Sequence, residues 1–212
     1  FGGDLREHAG GGVDAAVGDG GVFRVECAIL LSMTTECEWA WLAGFIEGEG
    51  SFQVVADRRI HIYPQLAATS TDRILLDRCK AIAGGNVWGP FGRAHINNVK
   101  WRPAYRWQLR SDALAAAIDA MMPWLLIKQE QAAICRMLRY ATISGSIKGH
   151  YGRPVLTEEF KHWRLQLRQA VMALNRRGTG QPTEEQECAI AFARTELSRH
   201  ARTFPHPFLA AA

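Results

Sequence analysis

The chain has 212 residues, of which 48% are hydrophobic, and a formal net charge of +4. That length supports one sizeable core or two small ones. Five scattered cysteines (Cys27, Cys37, Cys79, Cys135, Cys188) with no CxxC spacing argue against a disulfide framework or a thiolate zinc site, and no apolar run reaches the ~18 residues of a transmembrane helix. Charge distribution says more than the total. Residues 1–50 hold nine acids against Arg6 and Arg24, whereas residues 58–110 hold ten Lys/Arg against Asp72 and Asp77, a net of +8. Positive charge of that local density is the footprint of a polyanionic partner.

Eight of the twenty glycines fall in residues 1–21, a composition that cannot bury a core and reads as disordered. CAILLSM (27–33) is too short and too poorly flanked for a signal peptide. No Met initiates the chain, and Met33 stands just before the first periodic segment, so residues 1–32 are expected to be a Gly-rich leader outside the functional domain. From about Glu36 a helix runs to Glu49. Within WAWLAGFIEGEGSF (39–52), Ala40, Gly44 and Gly48 recur every four residues on one helix face. A glycine inside a helix costs ~1 kcal/mol, so that face is expected to pack closely against something. The helix ends on Glu47 and Glu49, carboxylates facing the negative end of the macrodipole. A divalent cation would neutralise them, since Mg²⁺ is typically held by one or two carboxylates plus phosphate oxygens.

SFQVVADR (51–58) alternates weakly and RIHIYPQLAATS (59–70) alternates well. In the latter, Ile60, Ile62, Leu66 and Ala68 share one parity, and Arg59, His61, Tyr63, Gln65 and Thr69 share the other. Ser70 or Thr71 is expected to cap the helix DRILLDRCKAIA (72–83), and Gly84-Gly85 to end it. NVWGPF (86–91) and AYRWQLR (104–110) read as two further strands joined by the basic loop GRAHINNVKWR. In the second of these, Tyr105, Trp107 and Leu109 face one way and Arg106, Gln108 and Arg110 the other. Ser111 starts a helix reaching Met122, Pro123 restarts the chain, and LLIKQEQAAICRMLRYA (125–141) reads as the next helix. After the turn-rich SGSIKGHYGRP, Thr157 opens a helix with the apolar stripe Phe160, Trp163, Leu167, Val171 and Leu174. TEEQ (183–186) is a capping box for a last helix.

This order predicts an α+β fold, an antiparallel sheet with helices on one face. Its other face would present Arg, Gln, His and Tyr, side chains suited to base edges, and a two-stranded ribbon can enter the DNA major groove.

LAGFIEGEG (42–50) resembles the signature of the LAGLIDADG homing endonucleases, with Glu47 and Glu49 where the signature has aspartates. The likeness continues through Ser51, the strand pair, Thr71-Asp72, Gly84-Gly85, and Pro123-Trp124-Leu125-Leu126-Ile127-Lys128-Gln129-Glu130-Gln131. It spans residues 36–140, with LNRRG (174–178) as a less specific match. The resemblance implies the αββαββα homing-endonuclease-like fold, with an antiparallel DNA-binding sheet and C-terminal helices added. It also implies that Glu49 binds Mg²⁺ (or Mn²⁺) at the scissile phosphate and that Lys128 sits near the attacking water or the developing phosphate charge. A polar residue near the end of the second strand, with Ser70 the nearest candidate, would position water. Ala40, Gly44 and Gly48 would lie between paired motif helices. Gln53, Arg59, His61, Tyr63, Gln65, Arg106, Gln108 and Arg110 would face DNA. Asp57, of the same parity, fits only if it accepts from a cytosine amino group or if the register shifts there.

Only one such motif occurs. Cutting both strands needs one site per strand, so a single motif per chain implies a C₂ homodimer on a near-palindromic target. The expected organisation is a leader (1–32), an endonuclease core (33–143), a helical extension of the core (144–180) and a terminal helix with a loose tail (181–212). The expected function is site-specific, Mg²⁺-dependent cleavage of double-stranded DNA by a homing endonuclease of a mobile intron or intein. The alternative is a non-cleaving nucleic-acid-binding protein of the same fold, either a maturase whose partner is intron RNA or a transcription regulator. Neither reading involves a membrane. Both place the protein in a bacterial or phage-infected cytoplasm or in an organelle, not outside the cell.

Overall fold

The computed structural model describes residues 35–56, 61–91, 103–144, 147–148, 154–155, 157–176 and 182–203. The predicted leader, Asp57, Arg59 and the loop 92–102 lie outside them.

Helix α1 (Glu36–Glu49) opens on a capping box. Thr35 Oγ1 accepts from the Glu38 amide, and the Glu38 carboxylate accepts from the Thr35 amide. Trp39, Leu42, Ala43 and Ile46, spaced at helical intervals, bury its inner face. Strand β1 (Gly50–Ala56) follows without a loop and pairs antiparallel with β2 (Ile62–Ser70), with Gln53 opposite Gln65 and Phe52 opposite Leu66. Phe52, Val54, Ile62, Leu66 and Ala68 point into the core, as the alternation predicts. Each large apolar side chain fully buried there contributes roughly 1.5–3 kcal/mol.

Asp72, not Ser70 or Thr71, caps helix α2 (Arg73–Ala83), because its carboxylate accepts from the Ile74 amide at 3.0 Å. Ser70 instead accepts from the Asp72 amide at 3.0 Å, closing the turn that precedes the cap. Gly84 and Gly85 leave α2 at φ +76° and +84°, the left-handed region that glycine reaches at no steric cost. A Cβ on Gly85 would also stand 2.4 Å from the Gln108 carbonyl oxygen. The close approach lets the indole of Trp107, wholly buried, donate to the Gly84 carbonyl at 2.8 Å.

Strands β3 (Asn86–Phe91) and β4 (Ala104–Leu109) complete an antiparallel sheet of order β1-β2-β4-β3. Helix α3 (Ser111–Met121) and a 3-10 turn (Met122–Trp124) lead to helix α4 (Gln129–Ser144). The apolar pattern of the sequence carries that helix back to Leu125. Residues 125–128 are not helical, because the amides of Leu126, Ile127 and Lys128 bond to a side chain of α1. The core thus has the order αββαββα, an α+β fold with its helices on one face of the sheet.

Strands β5 (Ile147–Lys148) and β6 (Pro154–Val155) pair within the stretch that reads as turns. Helix α5 (Glu158–Asn175), capped by Thr157, lies along edge strand β1, where Asn175 Nδ2 donates to the Phe52 carbonyl at 2.8 Å. Helix α6 (Glu184–Thr203), opened by the predicted Thr183–Gln186 capping box, covers α5. The Trp163 indole donates to the buried Glu196 carboxylate at 2.7 Å, and Arg194 pairs with Glu130 of α4 at 2.7 Å.

Candidate functional site

Two distant chain segments lock together at the C-terminus of α1. Glu47 Oε1 accepts from the amides of Leu126 (2.8 Å), Ile127 (3.0 Å) and Lys128 (3.1 Å). The Lys128 ammonium donates to the carbonyl oxygens of Ile46 (2.8 Å), Glu47 (2.8 Å) and Gly50 (2.7 Å). Helix α1 has no basic residue in its own last turn, so its counter-charge comes from Lys128. The orphan amides ahead of α4 receive theirs from Glu47, and each helix end meets a charge opposite to its dipole. An ammonium has only three hydrogens, and all of Lys128's are engaged. Burial holds the Lys128 pKa below the ordinary lysine value, and the nearby carboxylates of Glu47 and Glu49 oppose that shift. Glu47 Oε2 is buried with no partner among the described residues.

Glu49 is placed differently from Glu47. It is exposed, and among the described residues its carboxylate makes no hydrogen bond or ion pair. Gly50, which follows, admits no side chain, since a Cβ there would stand 2.6 Å from Ile46 Cδ1 and 2.9 Å from Ile46 Cα. The turn from helix to strand is therefore as tight as backbone allows. Among the described residues no group of three or more His, Cys, Asp or Glu side chains converges on a point. One free carboxylate does not fit a structural zinc or calcium cage. It fits Mg²⁺, which keeps several waters and uses one or two carboxylates plus substrate phosphate oxygens.

Beyond Glu49 the sheet turns its polar face outward. The register places Ser51, Gln53 and Val55 of β1, Tyr63, Gln65, Ala67 and Thr69 of β2, Arg106 and Gln108 of β4, and Asn86 and Trp88 of β3 on the side away from the core. Six of the predicted DNA-facing residues meet there in one network. Gln53 Oε1 accepts from Gln65 Nε2 (2.7 Å) and Arg106 Nη2 (3.3 Å). Arg110 donates to Gln65 Oε1 (3.0 Å) and Gln108 Oε1 (3.3 Å), and its guanidinium lies 4.9 Å from the centroid of the Tyr63 ring. Gln65 is only 2% exposed, and in the free chain it links Arg110 to Gln53, which in turn holds Arg106. His61 is exposed at the start of β2, with the parity of Tyr63. Arg59 lies outside the described residues.

Ser70 has the parity of Leu66 and Ala68, and its hydroxyl is engaged in the turn before α2. Its neighbour Thr69 is exposed on the polar face, opposite Arg106. The outer face of α1 is open. Gly44 and Gly48 are exposed, and among the described residues nothing beyond the local helix backbone comes within 4 Å of an added Cβ; Ala40 is half-buried. Leu126 and Ile127, held against Glu47, are 83% and 74% exposed.

Sequence reasoning assigns no separate role to Glu47, Gly50, Thr69 or Trp88. Thr69 is legible from its parity with Gln65. Trp88 is 54% exposed opposite Arg106, and its spacing from Asn86 is the available signal. The partners of Glu47 leave no local signal.

No family model matches the sequence, and no curated protein matches it. Among solved structures, the chain is similar to the homing endonuclease I-CvuI in complex with its target, at 17% identity and TM-score 0.49, over 77% of this chain and 96% of that one. It is similar to the archaeal intron-encoded homing endonuclease I-Vdi141I complexed with DNA, at 17% identity and TM-score 0.46, over 76% and 96% of the two chains. A third similarity is to the LAGLIDADG meganuclease I-AabMI bound to uncleaved DNA, at 17% identity and TM-score 0.47, over 63% of this chain and 44% of that one.

Proposed function

We propose that this chain is a site-specific, Mg²⁺-dependent endonuclease that cuts double-stranded DNA as a homodimer on a near-palindromic target. The observation that carries the reading is the end of α1, where an exposed Glu49 carboxylate, unpaired among the described residues, adjoins a sheet face bearing Arg106, Arg110 and three glutamines. Glu49 would hold the cation against a phosphate oxygen. The cation, when bound, supplies Lewis-acid polarisation and an activated water. The residues of the chain then orient the duplex through the arginines, while Lys128 offsets the negative helix end behind Glu49. Two findings support the dimer. Among the described residues nothing requires glycine at positions 44 and 48, and the adjoining Leu126 and Ile127 are exposed. Packing α1 on its symmetry mate would cover that face and bring two Glu49 carboxylates to one duplex.

The core at 33–143 would carry this activity, with 144–180 extending it and 181–212 covering the extension. A mobile intron or intein is the genetic setting that fits. Among the described residues no helix is long and apolar enough to cross a membrane.

One observation favours a non-cleaving binder of the same fold, acting as a maturase or a regulator. All three Lys128 ammonium hydrogens are taken by backbone carbonyls, which leaves none for a phosphate. Incubation with a randomised duplex library in Mg²⁺ or EDTA separates the readings. The nuclease gives metal-dependent double-strand cuts that Glu49→Gln abolishes. The alternative gives tight, metal-independent binding without cuts.

A further inference from the structure

We infer that Glu47 and Lys128 form a reciprocal clasp, and that Glu47 is a positioning residue that fixes the backbone on both sides of Glu49. The inference rests on the nuclease reading and deepens it by giving the two acids of one motif separate jobs. Glu47 draws the segment 126–128 against α1 through three amide bonds to one oxygen. That segment delivers the Lys128 ammonium to the carbonyls of residues 46, 47 and 50, which bracket Glu49 in the chain. Gly50, sterically unable to carry a side chain, holds the other end of the bracket.

Neither half of the clasp stands alone. Without Glu47, three amides lose their acceptor and the segment bearing Lys128 is free to leave. Without Lys128, Glu47, Glu49 and the last carbonyls of α1 stand together with no counter-charge in the motif, an arrangement that dipole electrostatics opposes. With its Oε1 committed to the amides, Glu47 acts through Lys128 and the backbone. Glu47→Gln, which keeps Oε1 and replaces the Oε2 that is unpartnered among the described residues, separates that role from metal ligation.

The oxygen that makes these bonds is a plain hydrogen-bond acceptor, and a Gln side chain carries one of the same length. The test compares Glu47→Gln, Glu47→Ala and Glu49→Gln in the full chain. The first measurement is amide hydrogen exchange at Leu126, Ile127 and Lys128 in EDTA, with neither metal nor DNA. Protection is expected to persist in Glu47→Gln and Glu49→Gln and to be lost in Glu47→Ala. The second is single-turnover cleavage of the duplex that the wild-type chain selects, at saturating DNA, alongside DNA affinity in Ca²⁺. Glu47→Ala is expected to cut slower by a factor on the order of 10²-fold, the scale of a catalytic group misplaced by about an ångström, with DNA affinity unchanged. Glu47→Gln is expected to retain most of the rate, and Glu49→Gln none.

A Glu47→Gln protein that keeps its amide protection yet is as inactive as Glu49→Gln would make Glu47 a metal ligand and overturn the inference. Glu47→Ala cutting at the wild-type rate would reduce the clasp to a structural tie and overturn it too. A wild-type chain that binds duplex and never cuts it sinks the nuclease reading and the positioning role together, while the exchange pattern still decides the clasp.

Discussion

Gly50 and Gly44 sit six residues apart in one motif, yet glycine is there for opposite reasons. At Gly50 the obstacle is internal, since any Cβ meets Ile46 at 2.6–2.9 Å, including its Cα, which cannot rotate away. Gly50→Ala is therefore expected to destabilise the isolated chain by about 1–3 kcal/mol, the range for overpacking a filled site. A lowered midpoint in urea with an unchanged slope would register it. A Gly50→Ala chain as stable as wild type would mean that the helix-to-strand turn is looser than described. Glu47 and Glu49 show the same divergence. They are two positions apart, but one carboxylate accepts three amide bonds and the other accepts none among the described residues.

Helix α1 presents two faces with separate obligations. Trp39, Leu42, Ala43 and Ile46 hold it to the sheet, and Gly44 and Gly48 leave the other face bare. A Cβ at position 44 meets no neighbour within 4 Å among the described residues, and Leu there raises helix propensity by up to ~1 kcal/mol. Between two packed helices the same side chain would force the backbones apart. Gly44→Leu is thus expected to keep or raise the melting temperature while turning a dimer into a monomer in sedimentation velocity. A variant that sediments as the wild type does would remove this face from the interface. The capping boxes at Thr35 and Thr183 and the cap at Thr157 show how much of element placement is local, since each joins residues three apart.

At the scale of the molecule, the basic sheet face is the main claim on a polyanion. Arg106 and Arg110 are held by Gln53, Gln65 and Gln108 with their guanidinium groups on that face. Removing one cation that neutralises a phosphate lowers the slope of log affinity against log salt by about 1. Arg106→Gln and Arg110→Gln are each expected to show that reduction if the arginine meets phosphate. An arginine that reads a base edge would instead relax sequence preference at one position, with a cost of about 1–3 kcal/mol for the right base. Titrations at several salt concentrations distinguish the two, and an unchanged slope together with unchanged preference would take the sheet face out of the binding surface.

The order αββαββα, the buried and polar parities of β1, β2 and β4, and the helix starts at Thr157 and Thr183 were all determined by the amino-acid sequence alone. They follow from alternation, helical spacing and caps, which are properties of neighbours along the chain. Tertiary structure decided the rest. It set residues 125–128 outside the helix, covered Gln65 with its neighbours, and drew the Ser70 hydroxyl into the turn before α2. Above all it joined Glu47 to Lys128, residues 81 positions apart. A charge near a helix end carries no local mark of whether water, metal or a distant amide will answer it; only the packing of the segments that fold against it makes that choice.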